Sequence, residues 1–175
     1  MVSEVAVTSG KIKVKTRRWG EIEIDRDELV VFERGIPGFE RSSQYALLQS
    51  EDTLPFYWLI GIEDPDLAFV LIDPQLFMPE YKPKLYESDL LELRTEGQDN
   101  LVLVAIVTVA ADPSRSTANL QGPLLINTSK KLGKQIIVAN EEFSTRHPII
   151  KTDRNPGNGK HRTKAQKLDT VCVEE

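Results

Sequence analysis

The chain has 175 residues, enough for one domain and a tail, since domains commonly run roughly 100–200 residues. It is 40% hydrophobic and 28% charged, a composition that supports a substantial core under a wet surface. Its net charge of −5 argues against affinity of the whole domain for nucleic acid, which depends on clustered Lys and Arg, and favours basic partners instead.

Alternation dominates the first elements. Ile12 and Val14 are interleaved with Lys11, Lys13 and Lys15, and Ile22 and Ile24 with Glu21, Glu23 and Asp25. Period two predicts two half-buried strands. Their wet faces carry opposite charges, so a hairpin would gain cross-strand ion pairs worth roughly 0.2–1 kcal/mol each. Arg17-Arg18-Trp19-Gly20 is the expected turn, with Gly20 free to take a positive φ.

Leu29 to Phe32 predicts a third strand, ended by Gly35-Ile36-Pro37-Gly38, and Tyr45 to Leu48 a fourth. Phe56 to Ile62 and Ala68 to Ile72 predict two buried strands, joined by the turn Glu63-Asp64-Pro65-Asp66-Leu67. Pro65 suits a turn, lacking an N–H and holding φ fixed. The three carboxylates repel one another with no cation inside the turn, so they are expected to face solvent or a partner.

Ser88 to Leu93 predicts a short helix with Ser88 as N-cap and Gly97 as its end. Leu101 to Val109 is a continuous apolar run, read as a central strand wet on neither face. Leu124 to Ile126 and Gln135 to Val138 predict further strands around a polar turn, Asn127 to Gly133. About nine short strands with mostly short connections predict a mainly β chain: one small antiparallel β-barrel-like domain with one or two short helices.

The domain is expected to span residues 1–150. Lys151 to Leu168 carries six basic residues against Asp153 and almost nothing apolar, which predicts a basic, disordered tail over 151–175. Removing that tail leaves sixteen basic against twenty-three acidic residues, a net of −7 over 1–150. The single cysteine, Cys172, cannot form an intrachain disulfide and suits the reducing cytosol. Met1 to Ala6 shows no secretory pattern, and the longest apolar run is about half what a spanning helix needs, so a soluble cytoplasmic protein with no membrane contact is expected.

Candidate chemistry is thin. Glu63, Asp64, Asp66 and Asp73 lack the glycine and distant Glu of a Ca²⁺ loop, so a solvated acidic turn or a protein contact is the better reading than a metal site. His147 has Ser144 and Arg146 nearby, but no Gly-x-Ser-x-Gly occurs, and its expected role is to pin the last segment to the domain. Gly35-Ile36-Pro37-Gly38 reads as a tight turn and not a phosphate loop, since Pro37 removes a donor and no Lys follows. Ile36 and Phe39 would be apolar tips there, a mark of contact surfaces. Nucleic-acid binding through the basic tail is the alternative reading, against which the tail's lack of aromatics counts.

A set of ordered motifs across roughly residues 12–149 resembles the flagellar assembly factor FliW family. They are Gly20-Glu21-Ile22-Glu23-Ile24, Phe32-Glu33-Arg34-Gly35-Ile36-Pro37-Gly38-Phe39-Glu40, Pro55-Phe56-Tyr57-Trp58-Leu59 and Glu63-Asp64-Pro65-Asp66-Leu67-Ala68-Phe69. Thr117-Ala118-Asn119-Leu120, Pro123-Leu124-Leu125-Ile126-Asn127, Gly133-Lys134-Gln135 and Ser144-Thr145-Arg146-His147-Pro148-Ile149 complete the set. Gln121-Gly122 departs from the apolar pair expected before Pro123.

The resemblance implies a small barrel-like protein without enzymatic activity. No cofactor is expected, and the free protein is expected to be a monomer. It implies two partners: flagellin in the cytoplasm, and the RNA-binding translational regulator CsrA, which the factor antagonises. Flagellin's amphipathic termini call for exposed apolar groups beside acids. The candidates are Ile36, Phe39, Phe69 and Phe77, with Glu33, Asp64 and Asp66 as a charged rim.

Overall fold

In the computed structural model, which describes residues 10–96 and 100–150, eleven strands and one α-helix follow one another. The first two strands, β1 (Lys11–Thr16) and β2 (Gly20–Asp25), form an antiparallel hairpin. Its register sets Lys13 opposite Glu23 and Lys15 opposite Glu21, as the charge pattern predicts, and Lys13 Nζ reaches Glu21 diagonally at 3.1 Å. Gly20 takes φ +69° in the turn.

Seven strands close into a barrel. They are β3 (Leu29–Val31), β4 (Gln44–Leu48), β5 (Tyr57–Gly61), β6 (Ala68–Ile72), β7 (Leu101–Thr108), β9 (Leu124–Asn127) and β10 (Leu132–Gln135). Pairing runs β7-β6-β5-β4-β3-β10-β9 and returns from β9 to β7, which leaves this sheet no open edge. All its ladders are antiparallel but one: β10 meets β3 in parallel, through Leu132 and Val31. Two-residue strands β8 (Thr117–Ala118) and β11 (His147–Pro148) extend the sheet beyond β7.

Alternation sorts the apolar side chains into three clusters. Tyr45, Leu59, Leu71, Val104 and Leu124 fill the barrel interior, as small barrels require. Their neighbours Leu103, Ala105 and Leu125 point outward into a second cluster with Tyr81, Leu93 and Leu120 from the connecting segments. That is why β7 is apolar from Leu101 to Val107, where both of its faces are covered; the expected dry run to Val109 ends earlier, at an exposed Thr108 and a Val109 that is 62% exposed. Val14 and Ile24 of the hairpin lie on Ala46 of β4, making the third cluster over the outer face of β3–β5.

Buried polar groups tie the outer layer down. The Tyr81 hydroxyl donates to the Leu120 carbonyl at 2.6 Å, and Asn127 Nδ2 donates to the Leu93 carbonyl at 3.0 Å. The helix α1 (Glu87–Glu92) is capped by Tyr86, not by Ser88: the Tyr86 N–H donates to Asp89 Oδ2 at 3.3 Å. It stops before Gly97, which lies outside the described residues. Arg94 takes φ 51°, and the N–H groups of Arg94 and Thr95 return to the carbonyls of Leu91 and Leu90, the paired bonds of a Schellman end.

The strand expected over Gln135 to Val138 pairs instead over Leu132–Gln135. Lys131, with φ 56°, lets the chain turn early, and Ile136 and Val138 donate only single N–H groups to the Pro123 and Gln121 carbonyls. Thr117-Ala118, which opens one of the ordered motifs, is the strand on which His147 is seated. The tail over 151–175 lies outside the described residues.

Candidate partner-binding surface

The turn after β3 is shaped by two glycines. Gly35 has φ +67°, and a Cβ there would stand 2.6 Å from the Glu40 Cα, so backbone meets backbone only because no side chain intervenes. Gly38 has φ +88°. The Phe39 N–H donates to the Ile36 carbonyl at 2.7 Å, and the Gly38 N–H to Glu40 Oε1 at 2.8 Å. That backbone donor, followed by Glu40's own N–H, holds the Glu40 carboxyl below its usual range.

The tight pairing of Ile36 with Phe39 sends the two side chains to different places. Ile36 is 1% exposed, inside the barrel with Phe32 and Tyr45, so the expectation that it is a surface contact is overturned. Its apolar side chain serves the core. Phe39 is 44% exposed and stands edge-on to Phe69, with centroids 5.0 Å apart and planes at 87°. Phe69, half-buried on β6, also leans on Tyr45 at 6.3 Å. The pair thus closes one side of the interior cluster and leaves one ring in water.

The acidic turn links β5 to β6. Glu63 Oε1 accepts from the Ser43 N–H, the Ser43 hydroxyl and the Gln44 N–H at 3.4, 3.2 and 3.3 Å. Asp64 Oδ1 accepts from the Asp66 N–H at 3.0 Å. Asp66 meets Arg17 of the hairpin turn at 3.4 Å, and the Arg17 N–H donates to the Pro65 carbonyl at 3.0 Å. The cation absent from the turn itself therefore comes from the hairpin. Asp64 and Asp66 remain exposed, three to five residues before Phe69.

Glu33 is engaged by Arg94 at 2.6 Å on an exposed surface. It borders a cavity of about 280 Å³ between the Gly35 turn, the end of α1 and β10. Charges alternate around it: Lys134 reaches Asp89 at 2.8 Å and Glu92 at 3.0 Å, and Arg34 reaches Glu92 at 3.7 Å. Burial works against the Lys134 charge, but these two carboxylates outweigh it and raise its pKa. Phe77 belongs to the outer cluster and stacks on His147 at 5.8 Å.

Sequence reading missed the hairpin tip. Trp19 stands edge-on to Trp58 at 4.9 Å, and the Arg18 guanidinium lies 4.5 Å from the Trp58 centroid. Consecutive Arg-Arg-Trp was the available signal, since a solvated turn has no need of tryptophan. The unusual Gln121-Gly122 pair is polar for a reason as well. Gln121 Nε2 donates to the Phe143 carbonyl at 2.6 Å, and Gln135 Nε2 to the Gly122 carbonyl at 2.7 Å. Among the described residues, no group of three or more His, Cys, Asp or Glu side chains is placed to hold a metal, and no helix is long and apolar enough to cross a membrane.

These features define a small closed β-barrel, wrapped by a hairpin and connecting segments, with aromatic and acidic groups at its surface. Residues 13–149 match the FliW protein family. A flagellar assembly factor FliW of Geobacillus sp. (strain WCH70) is 43% identical over 139 residues, covering 79% of this chain and 96% of that protein. The FliW of Syntrophus aciditrophicus (strain SB) is 38% identical over 140 residues, 80% of this chain and 89% of that one. A crystal structure of the flagellar assembly factor FliW superposes with a TM-score of 0.74 at 42% identity, covering 79% of this chain and 97% of that chain. The chain belongs to the FliW family, a family of flagellar assembly factors and not a known enzyme family, and this supports a role in flagellar assembly.

Proposed function

We propose that the protein is a non-enzymatic assembly factor that binds flagellin in the cytoplasm and antagonises CsrA, coupling flagellin synthesis to export. Membership of the FliW family carries this reading. While flagellin accumulates it occupies the factor and leaves CsrA free to repress flagellin translation. Export of flagellin releases the factor to bind CsrA and lift that repression.

Two features fit such partners. The Phe39–Phe69 pair offers an aromatic anchor of the kind that amphipathic segments seek, and Phe77 offers a separate half-buried one. Asp64, Asp66 and Glu33 supply exposed carboxylates within residues 1–150, whose net charge is −7. An RNA-binding regulator carries basic surface to meet phosphate, so an acidic partner attracts it.

The test is direct binding of the purified chain to its cognate flagellin and CsrA. Both complexes are expected at micromolar concentrations or below, the CsrA complex weakening as salt screens the charges. Absence of both would overturn the proposal.

A further inference from the structure

An acidic chain carries a cationic groove at the root of its hairpin. It has a volume of about 830 Å³, and Lys11, Lys13 and Arg26 stand over an apolar floor that includes Ile12, Leu29 and Ile62. Among the described residues, no carboxylate lines it. Lys13 is paired with Glu21, whereas Lys11 and Arg26 have no ion-pair partner among the described residues. Two unpaired cations beside a paired one in a single groove, in a chain of net charge −5, are not a by-product of overall composition.

The groove follows the edge of β1 and not one of its faces. Successive side chains of a strand point to opposite faces, yet Lys11, Ile12 and Lys13 all line it. β1 pairs with β2 on one side, and among the described residues no strand lies beyond its other side. The barrel has closed its own edges; among the described residues the hairpin has not.

We propose that this groove docks an extended acidic amphipathic peptide segment, which adds as a strand along β1. Its backbone uses the unpaired edge, its aliphatic side chains rest on Ile12, Leu29 and Ile62, and its carboxylates meet Lys11, Lys13 and Arg26. The cations select against other occupants. A second copy of this hairpin would set lysine against lysine at the edge, the device by which sheets discourage self-pairing. Single-stranded RNA would find no aromatic side chain lining the groove on which to stack. This surface is separate from the Phe39–Phe69 pair and does not rest on the flagellin and CsrA reading.

The experiment is fluorescence anisotropy with the full chain and a labelled octapeptide alternating valine and glutamate. The valine–lysine peptide and an RNA octamer serve as comparisons. Saturable binding of the glutamate peptide alone is expected, weakening with salt and at least roughly tenfold in Lys11→Glu/Arg26→Glu, with Lys84→Glu unchanged. Lys11, Arg26 and Lys84 are surface positions, and circular dichroism checks that each variant keeps its fold. No saturable binding up to about 1 mM, or binding indifferent to the double variant, would overturn the proposal. Equal binding of RNA would make the groove a general anion site and overturn it too. So would self-association abolished by the double variant, which would assign the groove to a second copy.

Discussion

Gly133 makes room for the ring of Phe32: a Cβ at position 133 would stand 2.4 Å from the Phe32 Cζ. Phe32 is fully buried inside the barrel and edge-on to Tyr45 at 5.2 Å, so the ring has nowhere to retreat. The close approach sits beside the single parallel contact between β10 and β3, where the barrel shuts. Gly133→Ala is expected to destabilise the fold by about 1–3 kcal/mol through overpacking. Phe32→Leu in the same chain should recover part of that loss, so a double-mutant cycle from urea unfolding should show a coupling of opposite sign to the single effects. Strict additivity would mean the two residues do not compete for space.

The hairpin is held at its tip by Trp19 on Trp58 and by Arg18 over Trp58. Trp19→Ala is expected to cost about 1–2 kcal/mol, from an aromatic pair and the apolar area it covers. Trp58 would then become the only tryptophan, and acrylamide should quench its emission more readily once the tip no longer shields it. Unchanged quenching would show that the tip stays closed without Trp19.

The legible parts were those where a pattern repeats. The hairpin was readable because lysines and carboxylates alternate with aliphatics over six residues on each strand, and β7 because an apolar run covered on both faces shows no gaps. β8 and β11 are two residues each, too short for any period to register. Ile36 was misplaced because a turn between glycines suggests exposure, whereas this turn folds back and seats Ile36 in the core. Arg17 on the acidic turn and Lys134 on α1 are long-range pairings that local sequence does not encode. The alternation of Lys11 and Lys13 with apolar residues shows only a wet face; that they border a groove depends on where the barrel lies.

Stability is expected to fall above about pH 10. Burial, followed by the charge of Glu63, pushes Tyr45 up to about 12, and burial pushes Tyr81 up as well. Between the unfolded and folded values, the unfolded chain has released these protons and the native chain still holds them, so rising pH favours unfolding. Lys134 acts in the same direction. Its raised pKa gives stability that is complete below the unfolded value and lost as pH climbs through the folded one. Tyr45 alone accounts for roughly 3 kcal/mol across its window. Urea midpoints measured from pH 8 upward should decline past about pH 10, less steeply in Tyr45→Phe.

Lys134→Met removes the cation that bridges Asp89 and Glu92, whose side chains are 12% and 33% exposed, and leaves Glu92 only the longer contact to Arg34. The methylene stem is preserved, so the loss is electrostatic: two carboxylates are left beside each other at the edge of the cavity. A cost of about 1–3 kcal/mol is expected at neutral pH, below that of a fully buried pair because water reaches both acids. Neutralising both acids, with Asp89→Asn and Glu92→Gln added to Lys134→Met, should restore much of it. If the triple variant is as unstable as Lys134→Met alone, the deficit is packing and not charge.

Phe39 and the acidic turn are expected to report on different aspects of binding. Phe39→Ala removes a ring that is nearly half in water, so its cost to folding should stay within about 1.5 kcal/mol, the contribution of one aromatic pair. If Phe39 anchors flagellin as proposed, its cost to flagellin binding should exceed a factor of roughly ten. Asp64→Asn/Asp66→Asn leaves shape intact while removing two exposed charges, so it should act on encounter and not on packing. The association rate with CsrA should fall and lose part of its salt dependence, with a smaller change in dissociation. Asp66→Asn also releases Arg17, so Arg17→Gln serves as the control that separates loss of acid from loosening of the hairpin. If Arg17→Gln slows association as much as the double variant does, the hairpin position governs the encounter and the carboxylates act only by holding it.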